Sequence, residues 1–383
     1  MLDCRLSDSL IKPLAEAPVL TIFIPTFNRT ADMIETVECV AGQLKDGLES
    51  KVEIVVSDNA SAPEGQAAIR ALAQKYRPVS YMINAEDQGG YFQLFSACWR
   101  SRGRWTWTFG SDDQLKPGGV GRIVEILQRE DPSFLTQNKR VYNRDLSQEQ
   151  LAFVNGIPDR RFDSFTNLFA GVGIHQLCFI SGSMERTERA RAIDPAPYLE
   201  ADTLHPHVLA MFEKHTGQRC CYSSANDLMH RTRNGQLHDY MGQSLKDIGV
   251  QLPIRMMRFA ARCGAPPDFF ETINGSRRID DYDPPRITYV DNMFEYMMRA
   301  IAAERFILRN EKFALEAILA HCRPGRLQAF ADIWRANETA RVAWERLATR
   351  QDVTETEREA HRAQLAAIDR QSLAFTDKAP LPA

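Results

Sequence analysis

The sequence lacks a basic surplus: over 383 residues the formal net charge is −3. Nucleic-acid binders usually carry an excess of lysine and arginine, so no nucleic-acid partner is expected. It also lacks any C-x-x-C pair. The eight cysteines are scattered, with only Cys220 and Cys221 adjacent. That excludes a disulfide framework and a structural zinc site, and reduced cytosolic thiols are the simplest reading. The opening MLDCRLSDSL has neither the basic start nor the apolar stretch of a signal peptide. No apolar run approaches the ~20 residues needed to cross a bilayer. A cytoplasmic protein is expected, with room for a peripheral contact at the membrane's inner face. Internal repeats and long low-complexity tracts are absent as well.

What is present is an ordinary globular balance, 44% hydrophobic and 25% charged, able to bury one large core or two. Short apolar, β-branched runs at 18–27, 51–61, 79–84 and 104–110 predict buried strands. Between them, 29–44, 64–76, 90–101 and 118–130 carry apolar residues at helical spacing. Strands alternating with helices predict an α/β fold with a doubly wound, mostly parallel sheet. Ligands in such sheets bind outside the carboxyl ends of the strands. The unusual polar segments fall there: PTFNR (25–29), SDNAS (57–61) and GSDD (110–113) each follow a strand.

After about residue 133 the pattern loosens. Residues 175–192 read as a strand, a small-residue turn and a helix start, and 198–215 as a polar loop entering a helix. From about 240 the chain is mainly helical in character, and 265–286 is rich in turn formers.

The adjacent Asp112 and Asp113 repel each other unless a cation intervenes. Mg²⁺ or Mn²⁺ is typically held by one or two carboxylates together with diphosphate oxygens. The plainer reading is a capped turn ahead of the 118–130 helix. Asp58 offers an acceptor to a nucleobase or a ribose hydroxyl, or else makes an Asx-turn or a helix cap. Thr26, Asn28 and Arg29 have the plainer role of ending a strand and capping the 29–44 helix.

Taken in order, LTIFIPTFNR, EIVVSDNAS and GRWTWTFGSDD resemble the nucleotide-binding half of a family 2 glycosyltransferase of the GT-A fold. The resemblance covers 18–130 strongly and 175–235 weakly. It implies a GT-A domain over 1–235, with a nucleotide-binding half at about 18–130 and an acceptor half at about 131–235. A mainly helical region follows at 236–383. It implies an inverting transfer of a sugar from a nucleotide-diphosphate donor to a hydroxyl of a glycan or lipid-linked acceptor, in bacterial surface polysaccharide synthesis. Donor contacts would come from Pro25, Thr26, Phe27, Asn28, Arg29, Asp58, Asn59 and Asp112. Asp112 and Asp113 would hold Mn²⁺ or Mg²⁺, with Asp113 the main ligand. A homo-oligomer is compatible with the resemblance. The segment DQGGYFQLFSACWRS departs from the family: Gly89, Gly90 and Tyr91 stand where a polar sugar contact is expected.

An inverting transfer needs a base to take the acceptor's proton. In the resembling family it lies about twenty residues beyond a Ser-Gly turn. Counted from Ser181-Gly182, the candidates are Asp202, then Glu200. Asp202 reads equally as a helix N-cap. His205 and His207 are weaker bases, and His207 could instead meet the metal or a phosphate. His230, Arg231 and Arg233 read first as a solvated basic turn, with a diphosphate grip as the alternative.

Two rival functions stand beside this one. A sugar nucleotidyltransferase would want a glycine-rich phosphate loop after the first strand, and IPTFNRT has no glycine. A non-catalytic nucleotide-sugar-binding homologue would keep the fold without the transfer.

Overall fold

The computed structural model describes residues 5–14, 16–152, 157–172, 174–199 and 205–231. The region 236–383, Glu200, Asp202 and Arg233 lie outside the described residues. The first half runs β1 (Leu6–Leu10), β2 (Leu20–Thr26), α1 (Thr30–Ala41), β3 (Val52–Asp58), α2 (Pro63–Lys75), β4 (Val79–Asn84) and α3 (Gly90–Arg100). It continues through β5 (Trp105–Thr108), β6 (Gln114–Leu115) and α4 (Gly119–Glu130). The second half holds β7 (Phe134–Tyr142), β8 (Glu149–Ala152), β9 (Arg160–Phe162), α5 (Phe165–Val172) and α6 (Ile174–Leu177). It ends with β10 (Ser183–Arg186), α7 (Thr187–Arg191), α8 (Ala196–Leu199), α9 (Pro206–His215) and β11 (Cys220–Arg231).

These strands form one sheet in the order β1-β4-β3-β2-β5-β10-β7-β11-β6, with β8 on β7 and β9 on β11. The four strands β4, β3, β2 and β5 are mutually parallel. Their alternation explains the two-sided winding. Leu20, Ile22, Ile24, Ile54 and Val56 pack against α1, α2 and α4 through Val37, Ile69 and Ile123. On the opposite face Phe23 and Val55 meet Ala97 of α3. Strands covered on both faces read as continuous apolar runs, and each fully buried Ile, Val or Leu contributes roughly 1.5–3 kcal/mol. Trp105 and Trp107 alternate with Thr106 and Thr108. Both indoles are buried, and Trp107 meets Phe109 edge-on at 5.1 Å.

The predicted α/β sheet is present, with antiparallel pairings on its flanks at β1/β4, β10/β5 and β10/β7. The segment 175–192 differs from expectation. The apolar stretch near 175 is the short helix α6, Ser181 and Gly182 lie in a single 3₁₀ turn, and the strand follows as β10. A short apolar run does not distinguish helix from strand by periodicity. Strands β7 and β11 escaped the sequence reading for another reason. Thr136, Gln137, Asn138 and Lys139 of β7 are all buried although polar, which erases the apolar signature. Among the described residues no helix is long and apolar enough to cross a membrane.

Candidate active site

Parallel pairing sets the ends of β2 and β3 level, with Thr26 opposite Asp58. The chain leaving β5 joins the same edge, since Phe109 N–H donates to Phe23 O at 2.8 Å. The three polar segments singled out in the sequence therefore share one end of the sheet.

After β2 the chain turns sharply. Asn28 takes a left-handed φ of 53°, which Asn tolerates better than most residues. Its N–H donates to Ser61 Oγ at 2.8 Å, and its Oδ1 accepts the Ala62 N–H at 3.0 Å. The cap predicted for α1 thus serves α2 instead. This turn leaves Phe27 42% exposed and starts α1 at Arg29, whose carbonyl accepts from Met33 N. Pro25 sits within β2 opposite Ser57.

Asp58 is fully buried. Its Oδ2 accepts the Ser61 N–H at 2.9 Å, while Oδ1 is buried without a hydrogen-bond partner. Burial pushes its carboxyl above the ordinary range, opposed by the Ser61 hydrogen bonds. An orphaned buried acceptor is costly, so this oxygen calls for a donor. Asn59 looks the other way. Its N–H donates to Thr26 O at 2.9 Å, its Oδ1 accepts from Asn84 and Gln88, and its Nδ2 donates to Asp87. Asp87 in turn accepts the Gly89 N–H at 2.8 Å. Asn59 ties β3 to the loop entering α3, where Gly89 has φ 80°; its whole side chain is spent on protein groups.

The two adjacent aspartates part company. Asp112 accepts from Arg29 Nη1 at 3.0 Å, on the open side of the site. Asp113 is only 2% exposed. His230 Nδ1 and the Arg231 N–H lie 2.8 and 3.4 Å from its Oδ1, and the Ser181 hydroxyl donates to its Oδ2. Ser181 Oγ also accepts the Gly110 N–H at 2.8 Å, and Ser181 O accepts from Trp107 Nε1 at 2.8 Å. Thr36 of α1 donates to Asp113 O at 2.9 Å. Gly110 is required here. A Cβ on it would lie 2.9 Å from Asp113 Oδ2, 3.0 Å from Ser181 Oγ and 3.3 Å from Asp112 Oδ1. Three oxygens thus converge on the bare face of one glycine.

Sequence reasoning undervalued His230 and Arg231. They are no solvated turn. Both end β11, and Arg231 is buried, pairing with Asp32 at 3.2 Å and Glu35 at 2.6 Å on α1. The His230 ring meets Phe179 edge-on at 4.2 Å. On the Phe179 ring lies the ammonium of Lys139, at 4.0 Å from its centroid, whose burial pushes its pKa down to about 7. No local signal marks Lys139, because its setting is created by β7 pairing with β10 and β11. His207 does not reach the aspartates. It is buried in α9, within 3.1 Å of Cys178 O, and burial pushes it down to about 3. His205 is buried beside it, with ring centroids 5.8 Å apart.

Oxygen donors from Asp112, Asp113 and Ser181, with one imidazole, suit Mg²⁺ or Mn²⁺ by chemical type. Among the described residues no group of three or more His, Cys, Asp or Glu side chains is placed to hold a metal ion. A cation here would draw part of its coordination from a bound ligand.

The match to known proteins follows this geometry. A family model described as glycosyl transferase family 2 matches residues 21–182. Abequosyltransferase RfbV of Salmonella typhimurium is 27% identical over 206 residues, which is 50% of this chain and 60% of that protein. The chain thus spans less than two thirds of that relative's length. S. aureus TarS 1–349, solved in complex with UDP, is similar with a TM-score of 0.52 at 10% identity, covering 83% of this chain and 81% of that one. At such identity the likeness shows the fold alone. Over residues 21–182 the chain is thus similar to glycosyl transferase family 2.

Proposed function

We propose that the protein is an inverting, metal-dependent glycosyltransferase. It moves a sugar from a nucleotide-diphosphate donor to a hydroxyl of a glycan or lipid-linked acceptor in surface polysaccharide synthesis. One observation carries the reading. The buried, half-unpaired Asp58 lies at the same end of the sheet as the Asp112–Asp113 pair, whose oxygens surround the bare face of Gly110.

Each residue then has a task. Asp58 Oδ1 accepts an N–H of the nucleobase or a ribose hydroxyl, which satisfies its missing bond. Thr26 and the exposed Phe27 line the base pocket. Asp112 and Asp113 hold the divalent cation, which when bound supplies positive charge beside the departing diphosphate. Ser181 and His230 fix the Asp113 carboxylate, as outer partners of metal ligands generally do. Asp202, with Glu200 the second choice, takes the acceptor's proton as its oxygen attacks the anomeric carbon. The bond to the diphosphate breaks on the opposite face, giving inversion. The assignment of the base rests on its distance in sequence from Ser181-Gly182.

The test is calorimetry of the pure protein against UDP, dTDP, GDP and CDP, each with Mn²⁺ and with EDTA. The expected result is one diphosphate bound tightly with Mn²⁺ and much more weakly with EDTA. A folded protein that binds none of the four overturns the proposal.

A further inference from the structure

Among the described residues, Arg231 and Arg29 stand beside the aspartate pair, and their settings differ. Arg231 is buried and held by Asp32 and Glu35 from one helix. Its guanidinium, 6% exposed, is held in the interior by both carboxylates. Arg29 is 42% exposed, and its Nη1 reaches Asp112 from the solvent side at 3.0 Å. Its backbone is anchored, because the left-handed Asn28 before it is bonded to Ser61 and Ala62, and α1 begins on its own carbonyl. A fixed backbone carrying a long, exposed side chain makes a short swinging arm. The arm lies beside Asp112, whose Oδ1 faces the bare Gly110 together with Asp113 and Ser181.

We propose that Arg29 is a resident counter-cation for Asp112 and passes to the donor's diphosphate when donor and metal arrive. The proposal rests on the transferase reading for its second half only. Without a divalent cation, Arg29 neutralises the outer carboxylate and competes with metal for it. With the diphosphate present, the guanidinium exchanges a carboxylate for phosphate oxygens, which it can grip bidentately. Releasing an exposed ion pair costs little, so the exchange needs no rearrangement of the fold. The coupling makes metal and donor bind together: metal frees Arg29, and the diphosphate gives Arg29 a new partner.

The experiment has two arms on the full chain, with Arg29→Ala, Arg29→Lys and wild type compared. The first measures Mn²⁺ alone by the EPR signal of the free ion, with no nucleotide present. Arg29→Ala should bind Mn²⁺ about 5-fold more tightly than wild type, and Arg29→Lys should stay near wild type. The gain should vanish in Arg29→Ala/Asp112→Asn. Equal Mn²⁺ affinity in wild type and Arg29→Ala overturns the counter-cation role, whatever the nucleotide results are. The second arm titrates inorganic pyrophosphate with Mn²⁺ held at saturation for each protein. Arg29→Ala should bind pyrophosphate about 10-fold more weakly, and equal affinity overturns the transfer of Arg29 to the diphosphate. Failure of the transferase reading shows separately, as an absence of nucleotide binding in wild type with Mn²⁺.

Discussion

The sheet's first half, β2 to β5, and its second half, β7, β10 and β11, both bury polar residues, for different ends. In the first half the strands are mainly apolar, with Thr21, Glu53, Ser80 and Thr106 buried within them, and the candidate site residues lie where the chain leaves the sheet. Asp58, Phe27 and Asp112 are positioned there by local backbone geometry. In the second half the strands are themselves polar inside, with Thr136, Gln137, Asn138 and Lys139 buried in β7. Their neighbours Ser181 and His230 end on Asp113, a residue far away in sequence. One half carries the candidate groups at its strand ends, and the other braces one of those groups.

The sharpest way to break this comparison is Asp113→Ala, because Asp113 belongs to both halves. Sugar transfer should fall by about 10³-fold or more, the scale on which removing one preorganised electrostatic stabiliser acts. Circular dichroism should show a folded chain. A variant that keeps more than a tenth of wild-type turnover would remove Asp113 from the chemistry and leave it a structural hub.

The next test separates presenting from bracing. Asp58→Asn should weaken nucleoside-diphosphate binding by about 100-fold, the upper range for losing a charged hydrogen bond. His230→Ala should lower transfer by about 10–100-fold, as outer partners of metal ligands do, and weaken Mn²⁺ binding to a similar degree. Binding of the bare nucleoside should be unchanged in His230→Ala and weakened in Asp58→Asn. The comparison collapses if His230→Ala impairs nucleoside binding as much as Asp58→Asn does.

The same contrast explains what was legible in the sequence. Strands β2 to β5 and helices α1 to α4 follow from apolar runs and apolar periodicity, whereas the two-residue β6 is too short to leave a pattern. The candidate residues there were legible because a strand end followed by Asp or Asn is a local signal. Ser181 was legible as a small-residue turn, yet its bond to Asp113 depends on β10 pairing with β5. His230 and Arg231 read as a basic turn because nothing local shows that β11 lies parallel to β7 and ends against α1. Asn28 was misread more subtly: its type suited a cap, but its left-handed backbone turns it toward α2. Long-range register is set by the whole sheet, and no window of ten residues contains it.

The smallest predicted effect probes how the bracing half tolerates protons. His207 of α9 is buried, and burial pushes its pKa down to about 3, with His205 nearby adding to the shift. Cys178 O and the Glu185 carboxylate oppose the shift, while the Lys214 ammonium adds to it. The unfolded chain takes up a proton near pH 6.5, whereas the folded chain does not until about 3. Below pH 6.5 the unfolded state therefore binds more protons, and stability falls as pH falls. The His207 share should be about 1.4 kcal/mol between pH 7.5 and pH 5.5, about tenfold in the folding constant. His215, also depressed by burial, and Glu185, held down to about 2 despite burial by Lys214 and His215, add losses of the same sign. Glu185's share comes at lower pH, because its ordinary value is 4.5. Urea melts of wild type and His207→Gln at both pH values isolate the His207 part. Wild type should lose about 1.4 kcal/mol more than the variant. Equal losses would mean that His207 is solvated in the folded protein, and that α9 is packed less tightly than the sheet it braces.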